Sequence, residues 1–382
     1  MKHLDALYIC TTPFQIMSSI SLAVNRKEKA DLYIDVQFDG AEELAEKIRE
    51  REIFDRVHLL QDVQAIRDIR FTKNQILRYR KMMHWFRNVD RAAEEILLPD
   101  REYKTLYATH YIIPATLLLL YFSKHDIRTR AHFFDDGESS YFQQNFYKSS
   151  FAERTARRMM LGTKRMRKVH RLYLYSPELF HQMNPRETIP VFKLPKFNDS
   201  EVVRDHLKAI FEVTEDKGIR ESVVILDNIK ESVLPEEGCR RLVELYDRMY
   251  REFGDENILI KRHPRDPHEN ETKIREYPYK IMPFEIICLA SDSDRMTLVT
   301  LSSTATFMPK LLLDQEPRIV LLHHVFRRPG WDDENTDKLF GIIRDIYRDS
   351  DRVCIPENDD ELGELLLRIE KELDGNRSER RP

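Results

Sequence analysis

The stretch Ala6-Leu7-Tyr8-Ile9-Cys10-Thr11-Thr12-Pro13-Phe14-Gln15-Ile16 changes its character at Thr11. The apolar run before that point reads as a strand. Thr12 followed by Pro13 then reads as a helix start, with a hydroxyl at the cap and proline at the first helical position. A strand passing into a capped helix is a βα unit, and the same alternation recurs along the chain. Apolar runs at 31–36, 56–60, 105–108 and 132–134, with 172–175 after a helical stretch, form one series. A second series lies at 222–226, 258–261, 297–301 and 318–322. Between them residues 185–217 carry Pro185, Pro190 and Pro195 in polar surroundings and read as a linker.

The chain has 382 residues and a mass of 45.7 kDa, beyond the size at which one core usually stops growing. Two α/β sets therefore predict two Rossmann-like domains facing across a cleft, the GT-B arrangement. The predicted boundaries are 1–200, 201–355 and a C-terminal helix with a frayed tail at 356–382. Ligands of such sheets bind beyond the carboxyl ends of the strands, so residues just after each strand are the candidates for chemistry.

Glycine usage narrows that chemistry. Only 10 of 382 residues are glycine, and the closest pair, Gly330 and Gly341, is 11 positions apart. Dinucleotide fingerprints and P-loops need glycines two to five positions apart, so both are excluded. The charges nearly cancel, with 62 basic against 66 acidic residues, which argues against a general nucleic-acid binder. Cys10, Cys239, Cys288 and Cys354 form no C-x-x-C pair, which predicts thiols rather than a zinc ribbon or disulfide framework. The N-terminus is too polar for a signal peptide, and the most apolar run, 111–122, is shorter than the roughly 18 residues of a membrane span. A soluble cytoplasmic protein is expected.

Four strand ends carry candidate residues. After the first strand, Thr12, Pro13, Phe14 and Gln15 read either as an ordinary cap or as a loop offering hydroxyls and N–H groups to a ligand. After 132–134 comes Asp135-Asp136-Gly137, where glycine permits a sharp turn and one of two neighbouring acids suits a general base. A helix cap with first-turn acids is the plain alternative. After 258–261, His263 is fixed by Pro264 beside Lys261, Arg262 and Arg265, an anion-binding setting in which histidine could protonate a departing phosphate. After 297–301, Ser302, Ser303 and Thr304 offer hydroxyls to a phosphate without glycine. Glu285 is placed to accept from ribose hydroxyls or is a surface acid. The Asp-Ser-Asp triplets at 292–294 and 349–351 are read as chance in an acid-rich chain.

Residues 150–171 include eight basic side chains against Glu153 alone. A solvated helix face is the plain reading, and adsorption to anionic lipid headgroups the sharper one.

Taken in order, T-P-F-Q at Thr12, F-D-D-G at Phe134, R-M-M-L-G at Arg158, H-P-R at His263 and the Ser302-Ser303-Thr304 cluster resemble one family. The chain looks like a bacterial sialyltransferase of glycosyltransferase family 52, which includes lipooligosaccharide and capsule sialyltransferases. The resemblance implies inverting transfer of sialic acid from CMP-sialic acid without metal or other cofactor. It implies Asp136 as the base on the acceptor hydroxyl with Asp135 in support, and His263 as the acid at the CMP phosphate. Ser302 and Ser303 would hold that phosphate, and Glu285 would contact the ribose. Within the family the base can instead follow the first strand of the second domain, which here makes Asp227 the rival. The partners implied are a CMP-sugar donor and a glycan acceptor; the basic segment 150–171 adds contact with the inner membrane surface, and a homodimer is a further expectation. Other readings keep the fold with CMP-Kdo or a nucleotide hexose, or make the chain a non-catalytic capsule-assembly protein.

Overall fold

The first apolar run belongs to a longer strand than its hydropathy indicates. In the computed structural model, which describes residues 2–142, 169–227, 234–264, 266–327 and 333–379, β1 spans Lys2–Cys10 and is exposed only at its start. The strands β2 (Ala30–Ile34), β3 (Arg56–Leu59), β4 (Arg101–Ala108), β5 (Arg130–Phe134), β6 (Val169–Leu174) and β7 (Val191–Lys193) follow. They form one sheet in the order β3-β2-β1-β4-β5-β6-β7, every pairing parallel. This is the Rossmann order with one strand added at the edge. The chain reverses direction across the sheet at β1, so β1 and β4 flank the crevice where such sheets bind ligands.

Parallel strands covered on both faces read as unbroken apolar runs, which is why these were legible. β2 is buried throughout. Tyrosine is accommodated where its hydroxyl finds a partner: Tyr8 and Tyr107 stack with ring centroids 4.6 Å apart, and both hydroxyls donate to the Glu28 carboxylate.

A second sheet contains β8 (Val223–Leu226), β9 (Ile258–Lys261), β10 (Thr297–Thr300), β11 (Arg318–Leu321) and β12 (Val353–Cys354). Its order is β12-β11-β10-β8-β9, again all parallel. Direction reverses between β8 and β10, so the ends of those two strands flank the binding crevice of this sheet. The chain divides into two compact units, Met1–Phe211 and Glu212–Pro382. The predicted α/β class with two Rossmann-like domains, the make-up of a GT-B protein, is the architecture observed.

Three local expectations are corrected. The supposed linker 185–217 contains β7 and the helix Glu201–Ile210, capped by Ser200 Oγ accepting from Val203 N at 3.3 Å. Val203, Leu207 and Ile210 are buried at helical spacing and keep this helix in the first unit. The C-terminal helix expected within 356–382 is present as Asp359–Glu379 and belongs to the second unit rather than standing apart from 201–355. Its Leu362, Leu365, Leu366 and Ile369 share one core with Val223, Ile225, Ile258 and Ile260. Within the basic segment, residues from Val169 onward belong to β6 rather than to a helix, and residues 150–168 lie outside the described residues.

All four cysteines are thiols, three of them buried. Among the described residues no helix is long and apolar enough to cross a membrane.

Candidate functional site

In the first unit the ends of β1, β4 and β5 are neighbours in the sheet, and their side chains meet. Thr12 does cap the helix Pro13–Arg26, its hydroxyl accepting from Gln15 N at 3.3 Å. Gln15, however, looks the other way. Its Oε1 accepts from Thr11 N at 2.6 Å and its Nε2 donates to Asp136 Oδ1 at 2.8 Å. A backbone N–H can only donate, so the amide has a single consistent orientation and its NH2 must face the carboxylate. From the end of β4, His110 Nδ1 stands 3.4 Å from the other oxygen, Asp136 Oδ2, and 3.0 Å from Thr109 Oγ1. The Asp136 side chain is 17% exposed, oriented by two neighbours and still reachable from solvent. Pro13 and Phe14, at the start of the same helix as Gln15, are half-buried, and Phe14 meets Tyr175 edge to face at 6.2 Å.

The two adjacent acids are divided in role by burial. Asp135 is fully buried and bonded on both oxygens: Gly137 N donates to Oδ1 at 2.8 Å, and Tyr141 Oη and Tyr175 N donate to Oδ2 at 2.6 and 3.1 Å. It ties β5 to the backbone after β6 and shapes the turn, so it does not reach a substrate. Burial pushes the Asp135 carboxyl up to about 6, with repulsion from Asp136 a lesser cause. The elevated acid is therefore the structural one. Gly137 has φ +82°, in the region L side chains avoid, as the sequence predicted. Asp136 N donates to Ser140 Oγ at 2.7 Å, closing the turn that presents Asp136.

In the second unit the ends of three neighbouring strands carry the remaining candidates. Asp227 follows β8, its N donating to Lys261 O at 3.1 Å while Tyr246 Oη donates to its Oδ1 at 3.3 Å. His263 and Pro264 follow β9 and are exposed, with Asp266 N donating to His263 O at 3.0 Å. Arg265 lies outside the described residues. Ser302, Ser303 and Thr304 follow β10 and are half-buried. Thr300 locks their approach: its Oγ1 donates to Leu226 O at 2.8 Å and accepts from Ser303 N at 3.0 Å. Ser303 Oγ accepts from Ala305 N at 3.4 Å, so this hydroxyl serves partly as a cap. The segment behind it is the 3-10 turn Thr304–Phe307 and the short helix Met308–Leu313.

Two of the basic residues expected around His263, Lys261 and Arg262, are already committed. Arg262 is buried and paired with Asp266 and Glu276. Lys261 Nζ donates to Lys280 O at 2.7 Å and Arg262 O at 3.2 Å, and burial lowers its pKa to about 8. Glu285 lies near enough for its charge to favour protonated Lys261, and burial raises the Glu285 carboxyl. Lys261 and Arg262 thus brace the end of β9. Asp294 of the rejected triplet accepts from Glu316 N at 2.6 Å and is likewise structural.

No protein-family model matches the chain, and neither does any curated protein. Among solved structures it is similar to a complex of a UDP-glucosyltransferase from Polygonum tinctorium capable of glucosylating indoxyl and 3,4-dichloroaniline. That likeness has 11% identity and a TM-score of 0.43, over 95% of this chain and 98% of the other. It is similar also to an α,α-trehalose-phosphate synthase (UDP-forming) from Burkholderia vietnamiensis, with 8% identity and a TM-score of 0.36, over 89% and 96% of the two chains. Likenesses this distant do not bear on donor, acceptor or catalytic residues.

One member of the first-unit cluster escaped the sequence. His110 is the second residue after the run 105–108, the same kind of position as Asp136 after 132–134. The strand-end rule would have reached it.

Proposed function

We propose that the chain is a glycosyltransferase that moves sialic acid from CMP-sialic acid to a hydroxyl of a surface glycan, with inversion and without a catalytic metal. The observation that carries this reading is the Asp136 carboxylate, held by Gln15 and His110 at the binding edge of a Rossmann-type sheet. A carboxylate bonded by an amide on one oxygen and facing an imidazole on the other is fixed in direction and can receive a proton. That is what a base on an acceptor hydroxyl requires. His110 is 44% exposed and can pass the proton on to solvent.

The donor side falls to the second unit. A CMP-sugar carries one phosphodiester, whose departing charge can be met by His263 as acid and by the Ser302, Ser303 and Thr304 hydroxyls and neighbouring N–H groups. The Asp227 carboxylate, bonded by Tyr246, is the rival base. CMP-Kdo or a nucleotide hexose would fit the same fold with a different donor.

Asp136→Ala and His263→Ala are each expected to lower transfer at least about 100-fold, the lower range for acid–base groups, with folding retained. Near-wild-type turnover in both variants would defeat the assignment. Calorimetry with CMP, UDP and GDP tests the donor, and tight UDP binding with none to CMP would reject the sialic acid reading.

A lipid-linked or membrane-displayed acceptor fits a second feature. The helix Gln75–Arg87 buries only Trp85, while Phe71 and Ile76 are 71% and 76% exposed. Arg78, Arg80, Lys81 and Arg87 lie on the same helix with no acid. An apolar and basic surface suits peripheral contact with anionic headgroups. It adds a second basic element to residues 150–171.

A further inference from the structure

After β11 the chain continues Leu322-His323-His324, and both imidazoles turn toward one carboxylate. Asp337 Oδ1, from the helix Asp333–Ile346, is 2.8 Å from His323 Nε2 and 2.7 Å from His324 Nε2. The three ligand atoms lie within 4.8 Å of one another. The far nitrogen of His324, Nδ1, stands 3.0 Å from Glu357 Oε1, beyond β12. The histidine side chains are 1% and 8% exposed, whereas Asp337 is 37% exposed, so the cluster is sheltered on one side and open on the other.

Proton counting makes this arrangement informative. A neutral imidazole has one N–H, yet His324 faces a carboxylate oxygen from each ring nitrogen. His324 Nδ1 lies 3.0 Å from Glu357 Oε1 but outside hydrogen-bond geometry, and a divalent cation in place of a proton at Nε2 would be held by His323 Nε2, His324 Nε2 and Asp337 Oδ1 together. Two imidazoles and one carboxylate form a ligand set typical of zinc-class ions. A carboxylate on the outer nitrogen is the partner that metal-bound histidines take. Ligand atoms around tetrahedral zinc sit about 3.4 Å apart at bond lengths near 2.1 Å, so the two histidine–aspartate contacts need to open by only about 0.6–0.7 Å.

We propose that His323, His324 and Asp337 bind one divalent transition-metal ion of the zinc class, with water in the fourth position and Glu357 orienting His324. The ion ties the end of β11 to the helix Asp333–Ile346. His323 stacks on Phe340 with centroids 6.4 Å apart, and Phe340 meets Phe307 edge to face at 5.8 Å. Phe307 ends the turn that follows Ser302 and Ser303, so the ion braces that turn and takes no step in transfer.

The test uses the full chain, stripped with a chelator and titrated with Zn2+ by calorimetry and with Co2+ by visible absorption. One ion per chain, tetrahedral-type Co2+ bands and a metal-dependent rise in Tm are expected. His324→Gln and Asp337→Asn should abolish stoichiometric binding. Glu357→Gln, at an exposed position that leaves the fold intact, should weaken Zn2+ binding about 10- to 100-fold. His84→Ala, an exposed histidine elsewhere, should leave it unchanged. Absence of stoichiometric uptake by the wild-type chain, or uptake indifferent to both Asp337→Asn and Glu357→Gln, would overturn the site and leave a hydrogen-bonded His–Asp–His cluster.

Discussion

The buried Asp135 carboxyl should make the first unit lose stability as pH rises. Its pKa in the folded chain, about 6 against an ordinary 3.8, is raised. The protonated form is therefore favoured by folding, and its advantage is full below about pH 4 and lost as pH rises through about 6. A shift of roughly two units is worth about 3 kcal/mol, at about 1.4 kcal/mol per unit, and no solvent screening discounts it because the group is fully buried. Asp135→Asn removes the titration while keeping the shape. The stability difference, wild type minus variant, should then fall by roughly 2–3 kcal/mol between pH 4 and pH 7.5. The other carboxylates cancel because both proteins carry them. Trp85 provides a local probe: it is buried in the first unit, its Nε1 donating to Asp68 at 3.0 Å. The chain has only two tryptophans, so a Trp331→Phe background confines fluorescence-detected urea unfolding to this unit. A difference that is flat with pH, or grows as pH rises, would refute the burial argument.

Further outcomes concern the site and its frame. Gln15→Ala and His110→Ala should lower kcat more than they change KM for donor. A uniform change in KM alone would speak against their orienting Asp136. Asp227→Asn should retain more transfer than Asp136→Asn, and the reverse order, measured under saturating donor, would move the base to the second unit. Leu366→Ala should destabilise the second unit by about 2–5 kcal/mol in denaturant melts, since this fully buried side chain sits in its main core. Loss below about 0.5 kcal/mol would count against the C-terminal helix belonging to that core. Combined Ile76→Glu and Arg80→Glu should reduce co-sedimentation with anionic liposomes at least about tenfold, each basic residue near such a surface contributing about 1 kcal/mol. Unchanged sedimentation would remove this helix from any membrane contact.

Elements that the sequence hides have a common form. β7, with two of its three residues exposed, and the two-residue β12 present no apolar run to detect. The helix Glu201–Ile210 does carry its period at Val203, Leu207 and Ile210, but the three preceding prolines make the stretch read as irregular. Lys261 and Arg262 read as ligand-binding cations because sequence shows charge and not the acceptors that occupy it. Strand ends, by contrast, are legible to within a few residues, and with them the positions where chemistry can sit.

What the amino-acid order determined by itself is the class of fold and the ends of its strands. Continuous apolar runs are required wherever a parallel strand is covered on both faces, and capped helical patterns must link them, so local physics writes both into the chain. The scarcity of close-spaced glycines likewise excludes whole nucleotide-binding classes, because their phosphate loops are local in sequence. Only the tertiary structure decided which polar groups meet. Gln15 and Asp136 are 121 positions apart and bonded at 2.8 Å, and His110 joins them because β4 inserts between β1 and β5. It also separated two adjacent aspartates into a buried brace and a presented carboxylate. Burial and partnership are properties of strand order, which neighbouring residues in sequence do not encode.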